Sequence, residues 1–417
     1  MGSLSETVMN IFRNIPPTAG LPVFTRELFA AYRYRHAGDL LAQDFQRYLG
    51  APFTAITCSG TSALYIICET LKELSPKRTI LVPSFICPLV AFAIRRAGFF
   101  IELYDIGPFD FNGDVGKVAA ACAANPDVAA VLVNHLGGIP ASMPGLKKAI
   151  REFGIFVIED CAQSFGAVRR GRPVGTLGDF SFFSLAAGKG LTIYEGGMLV
   201  ANTSAHAGLV ETKMLQHARP DKKIETQRII ELLGYALFYR PLLFWFIFTL
   251  PELYWTRRGN DIKALREDFS LDFPVHAVSG FRKAAGHAAF PRIADAIGSQ
   301  RSKAAYYIDG LSSLRDITVM QEQAQDTATY PYVTVLFDRP EQKIKALRAF
   351  AGAGLGVSQI YARALADYGY LRGIVPNSNS ASARRLAARA ITLSTSPFLK
   401  KNDIEKCIKI MHTVCGD

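Results

Sequence analysis

The chain has 417 residues, 49% of them hydrophobic and 20% charged, which supplies a large packed core and excludes a disordered chain or a coiled coil. Its 47 basic and 36 acidic side chains leave a net charge of +11, which suits anionic ligands such as phosphates, nucleotides or acidic membrane surfaces without choosing among them. Seven cysteines (58, 68, 87, 122, 161, 407 and 415) form no C-x-x-C pair and no metal-ligand spacing, so they read as free thiols of a reducing compartment. The opening MGSLSETVMNIFRN lacks the unbroken apolar core of a signal peptide, and Glu6 breaks the myristoylation pattern, so a cytoplasmic location is expected.

Residues 1–25 form a Pro- and Gly-containing arm (Pro16, Pro17, Gly20, Pro22). Helical periodicity fills 26–49 and stops at Gly50. From about 53 to 202, short apolar runs alternate with helical segments. The runs are TAITC (54–58), TILVPS (79–84), FFIELYDI (99–106), VAAVLVNHL (128–136), IFVIED (155–160), FSFFSL (180–185) and GGMLVAN (196–202). Such alternation predicts an α/β fold with a mostly parallel central sheet flanked by helices on both faces. Residues 203–275 break the pattern with a charged stretch, a very apolar stretch at 229–255, then Arg257 and Arg258. A helical segment covers 282–314, and the remainder (a strand at 330–337, helices at 340–353 and 402–413) predicts a smaller C-terminal α/β unit.

Three motifs carry chemistry. In CSGTSAL (58–64) a strand enters, a turn at Gly60 follows and a helix leaves; its free N–H groups, with the Thr61 and Ser62 hydroxyls, make a phosphate cradle, although Ser-Gly-Thr also caps helices that bind nothing. Asp160 ends a buried strand run, where open α/β sheets bind ligands; an N-cap is the plainer use of such a residue. Lys189 lies in a stretch (173–194) whose only other charge is Asp179, and a desolvated lysine becomes nucleophilic; a flexible Gly loop would equally carry a surface lysine. Cradle, acid and desolvated lysine together are the parts that pyridoxal phosphate needs.

These residues resemble the DegT/DnrJ/EryC1/StrS family of pyridoxal-phosphate sugar aminotransferases, of the aspartate-aminotransferase fold type (fold type I). The likeness runs through SGTSAL (59–64), VPSF (82–85), the His135-Leu136-Gly137 turn, EDCAQSFGA (159–167), GTLGDFSFFS (175–184), Lys189, EGG (195–197), Arg282, Leu393 and Pro397. It implies that Lys189 is the Schiff-base lysine and proton shuttle, that Asp160 pairs with the pyridine nitrogen, that Gln163 meets the ring hydroxyl, and that Gly60, Thr61, Ser62 and Ser184 hold the phosphate. It implies a homodimer with shared active sites and ping-pong transfer from an amino acid, glutamate in the family, to a keto sugar. Domains are then expected as an arm (1–25), a large cofactor-binding domain (26–275, with the apolar insert at about 229–255), and a linking helix with a small C-terminal domain (276–417). The chain departs from the family twice: Cys87 stands where an aromatic residue usually covers the cofactor ring, and Gly280 where an asparagine usually reaches the neighbouring subunit's phosphate.

Other residues carry weaker signals. Seven histidines show no metal-ligand spacing, so no metal site is expected. His135 could touch substrate or be a satisfied core histidine; Tyr361 matches a position near the family's substrate pocket. Arg169, Arg170 and Arg172 read as a solvated basic turn. The 229–255 stretch holds two apolar runs, 232–239 and 242–250, too short to span a bilayer and split by Arg240-Pro241. Residues 242–248 are apolar all round and must be covered by the protein, a partner subunit or one membrane leaflet, the last implying a peripheral position on the inner face and a lipid-linked keto acceptor, sugar or not. Rival readings are a non-catalytic regulatory family member, against which Lys189 and Asp160 argue, and a dehydratase, which would carry histidine at position 189. Nucleic-acid binding rests on charge alone and is not expected.

Overall fold

Seven of the apolar runs become strands of one sheet. The computed structural model describes residues 13–107, 111, 113–246 and 250–416, without the side chains of Pro144, Leu253 and Asp261. The first twelve residues of the expected arm and residues 247–249 of the apolar stretch lie outside the described residues.

The strands are β1 (Phe53–Thr57), β2 (Thr79–Pro83), β3 (Phe100–Tyr104), β4 (Val128–Asn134), β5 (Phe156–Asp160), β6 (Phe180–Ser184) and β7 (Gly197–Ala201), in the order β1-β7-β6-β5-β4-β2-β3. The pairs from β6 through β5, β4 and β2 to β3 are parallel, and β7 runs antiparallel to both neighbours. Every residue of β2, β4 and β7 is buried, as a sheet covered on both faces requires. The helices that follow are α1 (Thr25–Tyr34), α2 (Leu40–Leu49), α3 (Gly60–Leu74), α4 (Leu89–Arg96), α5 (Val115–Ala124), α6 (Met143–Ile150), α7 (Ser204–His217), α8 (Lys222–Phe238) and α9 (Leu250–Arg257). Ile80 and Val82 of β2 pack with α3 and α4, whereas Leu81 between them packs with Val118 of α5 and Leu146 of α6; the two-residue alternation of the strand builds both layers.

Beyond them come α10 (Gly280–Ala289), α11 (Ile293–Leu311), β8 (Ile317–Val319), β9 (Tyr332–Phe337), α12 (Pro340–Phe350), α13 (Ala381–Arg389), β10 (Ala390–Ser394) and α14 (Lys401–Cys415). β8, β9 and β10 form an antiparallel sheet, and its side chains Val333, Val335 and Ile391 pack with Tyr307 of α11 and Met411 of α14 in a core that also takes in Phe85, Ile106, Leu136 and Ile139 from around the larger sheet.

Several expectations need correction. The 26–49 stretch is two helices, because Gly38 takes φ +79° and Asp39 caps α2 through the Ala42 amide at 3.1 Å. The 282–314 stretch breaks at Pro291 into α10, one tight turn and α11. The turn at 169–172 is not wholly solvated: Arg169 is buried against Asp326, whereas Arg170 and Gly171, with φ of 45° and 79°, and Arg172 are exposed. The 229–255 stretch is two-faced. Leu232, Tyr235, Tyr239 and Phe244 are buried with Val23, Ala31 and Ala284, while Ile230 (63%), Leu237 (61%) and Phe246 (55%) face outward. No described helix is long and apolar enough to cross a membrane.

Candidate active site

The C-terminal ends of β1, β2, β5 and β6 bring the expected site residues to one sheet edge. After β1, Ser59 is extended (φ −161°) and caps α3 by accepting the Ser62 amide at 3.0 Å. The Ser62 hydroxyl accepts the Ser59 amide at 3.0 Å and donates to the Ser59 carbonyl at 2.8 Å. That reciprocal cap engages the Ser62 hydroxyl within the chain, and the residue is 1% exposed. Thr61 differs; it is partly exposed and its hydroxyl has no partner among the described residues. Gly60 lies against β6, where a Cβ would meet the Phe183 carbonyl at 3.3 Å and the Ser184 Cβ at 3.6 Å. Ser184 therefore stands beside the open helix end, its hydroxyl oxygen accepting the Ala186 amide at 3.4 Å. Gly197 makes this contact possible, since a Cβ there would come within 2.4 Å of the Ser59 carbonyl carbon and oxygen.

Lys189 follows β6 in a turn made by Gly188 (φ +81°), and the turn is tied to the N-terminal arm by the Leu21 amide on the Lys189 carbonyl at 3.1 Å. The ammonium has no hydrogen bond or ion pair among the described residues. Desolvation lowers its pKa, against the pull of Cys87 and Asp160. Asp160 is buried at the end of β5 and accepts the Ala162 amide at 2.9 Å. Desolvation raises its pKa to about 6, opposed by that amide, by Lys189 and by His135. Burial pushes the Cys87 thiol to about 12, with Asp160 and Lys189 both acting on it, so the residue in the family's aromatic position lies beside the lysine–acid pair.

For His135 the sequence allows either substrate contact or a satisfied core histidine. Its side chain is fully buried; Nε2 donates to Glu159 Oε2 at 3.0 Å and Nδ1 accepts the Ala141 amide at 2.9 Å, so neither nitrogen is left for a substrate. Glu159 also accepts the amides of Gly175, Leu177 and Gly178 at 3.0, 2.7 and 2.6 Å. His135, Glu159 and Cys161 offer ligand-type atoms within 4.8 Å of one another, but the histidine and carboxylate atoms are engaged in locking β4 and β5 to the 175–178 turn.

Gln163 Oε1 accepts from the Gly137 amide at 3.0 Å and from the Tyr332 hydroxyl, which leaves its NH2 as the free end. Tyr361 stands edge-on to Phe85 at 5.3 Å, and burial raises its phenol while Cys87 and Asp160 add to the rise. Sequence reasoning missed Tyr332 and gave Glu159 no role; a tyrosine in a buried strand carries no signal of what its hydroxyl reaches. Gly280 has a local cause: a Cβ there would lie 2.0 Å from the Arg35 carbonyl oxygen, so the close packing of α10 on the end of α1 excludes asparagine. Arg282 is fully buried and paired with Glu225.

With this geometry in hand, comparison with known proteins is specific. The sequence profile of the DegT/DnrJ/EryC1/StrS aminotransferase family matches residues 34–237 and 278–412 and leaves 238–277 unmatched. Protein MosB of Rhizobium meliloti is 36% identical over 155 residues, covering 37% of this chain and 30% of that protein. A UDP-N-acetyl-3-dehydro-alpha-D-glucosamine 3-aminotransferase of Acidithiobacillus ferrooxidans is 35% identical over 143 residues, 34% of this chain and 38% of that protein. The chain thus spans about a third of the length of these curated relatives. A putative sugar aminotransferase from Streptococcus pneumoniae, solved in its PLP form, superimposes with a TM-score of 0.73 over 97% of this chain and 99% of that one; at 17% identity the likeness is one of fold. The profile match covers both sheets and every residue of the Lys189–Asp160 cluster, and the chain belongs to the DegT/DnrJ/EryC1/StrS aminotransferase family.

Proposed function

We propose that the protein is a pyridoxal-phosphate-dependent aminotransferase that moves an amino group from an amino acid, glutamate by resemblance, to a keto sugar carried on a nucleotide or a lipid. One observation carries the reading: an ammonium without a partner among the described residues, a buried carboxyl and an open helix N-terminus share one sheet edge. These residues fit the cofactor. The α3 amides at Gly60 and Thr61, the unpartnered Thr61 hydroxyl and Ser184 would hold its phosphate. Asp160, costly to ionise alone, would be stabilised as an anion by a protonated ring nitrogen. The NH2 of Gln163 would meet the ring hydroxyl, and Tyr361 would border the substrate. When bound, the cofactor supplies an electron-poor ring that takes up charge from the reacting carbon. Lys189 would hold it covalently and, with its lowered pKa, carry protons between substrate atoms.

Borohydride treatment of cofactor-loaded protein followed by peptide mass spectrometry tests the reading. The mass of the reduced cofactor belongs on Lys189, and Lys189→Ala loses turnover; a label on another lysine, or full turnover in the variant, refutes the assignment.

Finer assignments belong to the same proposal. A homodimer is supported by the exposed Phe29 and Tyr32 on α1 and Ile230 on α8. Peripheral contact with the inner membrane face is supported by outward Leu242, Phe246 and Leu250 close in sequence to Arg240, Arg257 and Arg258. The division into a large unit (26–275) and a small one (276–417) is supported by the β8-β9-β10 sheet, which is distinct from the seven-stranded one.

A further inference from the structure

Phe244, Trp245, Glu252, Thr256, Ala264 and Leu265, from the segment that the family profile leaves unmatched, line a cavity of about 1160 Å³ together with residues of the C-terminal part of the chain. Pockets for drug-sized ligands run to roughly 1,000 Å³, so this one admits a larger molecule. Phe244, Trp245 and Leu265 line it together with Ile344, Leu347 and Phe350 of α12. Ala362, Arg363 and Ala364 also line it, and they adjoin Tyr361, whose phenol feels the charges of Cys87 and Asp160. Pro17 lines it as well, and the hydroxyl of the next residue, Thr18, donates to the Gly188 carbonyl at 2.7 Å, which ties the cavity wall to the turn that carries Lys189.

Its lining combines charged and apolar side chains. The wall carries Arg363 and Arg372, both exposed and with guanidinium groups that have no partner among the described residues. Arg384 is committed to Asp367 through a bidentate pair, and the buried Lys343 ammonium donates to the Ala387 carbonyl at 2.6 Å. Glu252 is the other acid in the wall, and burial raises its pKa. Phe244 of the lining is buried, whereas Ile344 of the lining (50%) is exposed, as are Leu242 and Phe246, two residues either side of Phe244 in sequence.

We propose that this cavity binds an amphiphile, with its phosphate-type head at Arg363 and Arg372 and its hydrocarbon chain running between Trp245 and Ile344. The proposal rests on the aminotransferase reading in one respect: the head would present the keto group to the neighbouring Lys189. It makes the acceptor a lipid-linked one and gives the 238–277 segment a ligand.

Trp245 and Trp255 are the only tryptophans of the chain, so emission reports on this segment alone. In Trp255→Phe holoenzyme, titration with dodecyl phosphate below its micelle concentration should give a saturable blue shift of Trp245. Since a buried methylene contributes up to about fourfold in affinity, dodecyl phosphate should bind at least ~10-fold more tightly than octyl phosphate. Ile344→Glu and Arg363→Ala/Arg372→Ala should each weaken binding by about tenfold; all three residues are exposed, so the fold is retained. Uncharged dodecyl maltoside should bind more weakly than dodecyl phosphate, and inorganic phosphate should leave the emission unchanged. A linear, unsaturable response, equal affinity for octyl and dodecyl phosphate, or a response untouched by both sets of variants overturns the proposal. The titration is independent of turnover: an active enzyme whose Trp245 ignores the amphiphile defeats this inference alone, and a protein that binds it but never transaminates defeats only the reaction.

Discussion

The Tyr332 hydroxyl donates to the side-chain oxygen of Gln163, joining the middle strand of the C-terminal sheet to the residue three positions after Asp160. The Gly137 amide shares that oxygen at 3.0 Å, so the amide group is pinned and its NH2 must point elsewhere. Tyr332→Phe removes one of the two pins and leaves the ring in its buried place. Cofactor dissociation should rise by about 3- to 10-fold, the value of one net hydrogen bond, with the melting temperature little changed. An unchanged dissociation constant would mean that Gln163 does not meet the cofactor.

Asp160 sets function against stability. Desolvation lifts its pKa from 3.8 to about 6, so without cofactor the folded chain holds a proton that the unfolded chain releases, and stability falls as pH rises through that interval. Asp160→Asn abolishes the penalty. The cofactor-free variant should be more stable than wild type by about 1–3 kcal/mol at pH 7.5, with the gap closing near pH 4. Its turnover should drop by on the order of a hundredfold or more, because a neutral amide cannot hold a ring nitrogen protonated. Urea unfolding at the two pH values and single-turnover absorbance separate the effects; equal stability at both would remove the buried-carboxylate argument.

Gly280→Asn introduces the family's usual residue, and it should not improve cofactor binding. Its Cβ would overlap the Arg35 carbonyl, so either α10 or the end of α1 must move, at a cost of about 1–3 kcal/mol. A variant with unchanged melting temperature would show that these helices are not in close contact.

The strands were readable because a parallel sheet buried on both faces needs unbroken apolar runs, and VAAVLVN or FSFFS can do little else. Two misread helices carried visible signals: Gly38-Asp39 is a stop followed by an N-cap, and Pro291 breaks 282–314. Ser59 and Ser62 have capping-box spacing, which would have turned the Ser62 hydroxyl inward. His135 was beyond reach. Whether its ring faced a ligand depended on Glu159 in the next strand and the Ala141 amide, and no local pattern encodes those meetings. The same limit applies to the cavity, whose walls lie about a hundred residues apart in sequence.

Glu225 collects Arg282, His276 Nε2 at 2.8 Å and the Ser279 amide at 2.8 Å, next to Cys58 at the start of the phosphate cradle. Desolvation opposes charge on His276, but hydrogen bonds to Cys58 and Glu225 outweigh it and lift its pKa from 6.5 to about 9. A raised folded pKa means that His276 contributes stability in full below pH 6.5 and loses it as pH rises through 9. Desolvation also opposes the Glu225 carboxylate, yet its partners lower it from 4.5 to about 2, so its contribution holds above pH 4.5 and fades only as pH falls through 2. Between pH 6.5 and 10 wild type should therefore lose about 1–3 kcal/mol that His276→Asn does not, the variant being less stable at pH 6.5 and nearly equal at pH 10. Glu225→Gln should show the same flattening, since it removes the partner that holds the proton. Denaturant midpoints at the two pH values measure it; parallel losses in wild type and both variants would show that this cluster carries no alkaline transition.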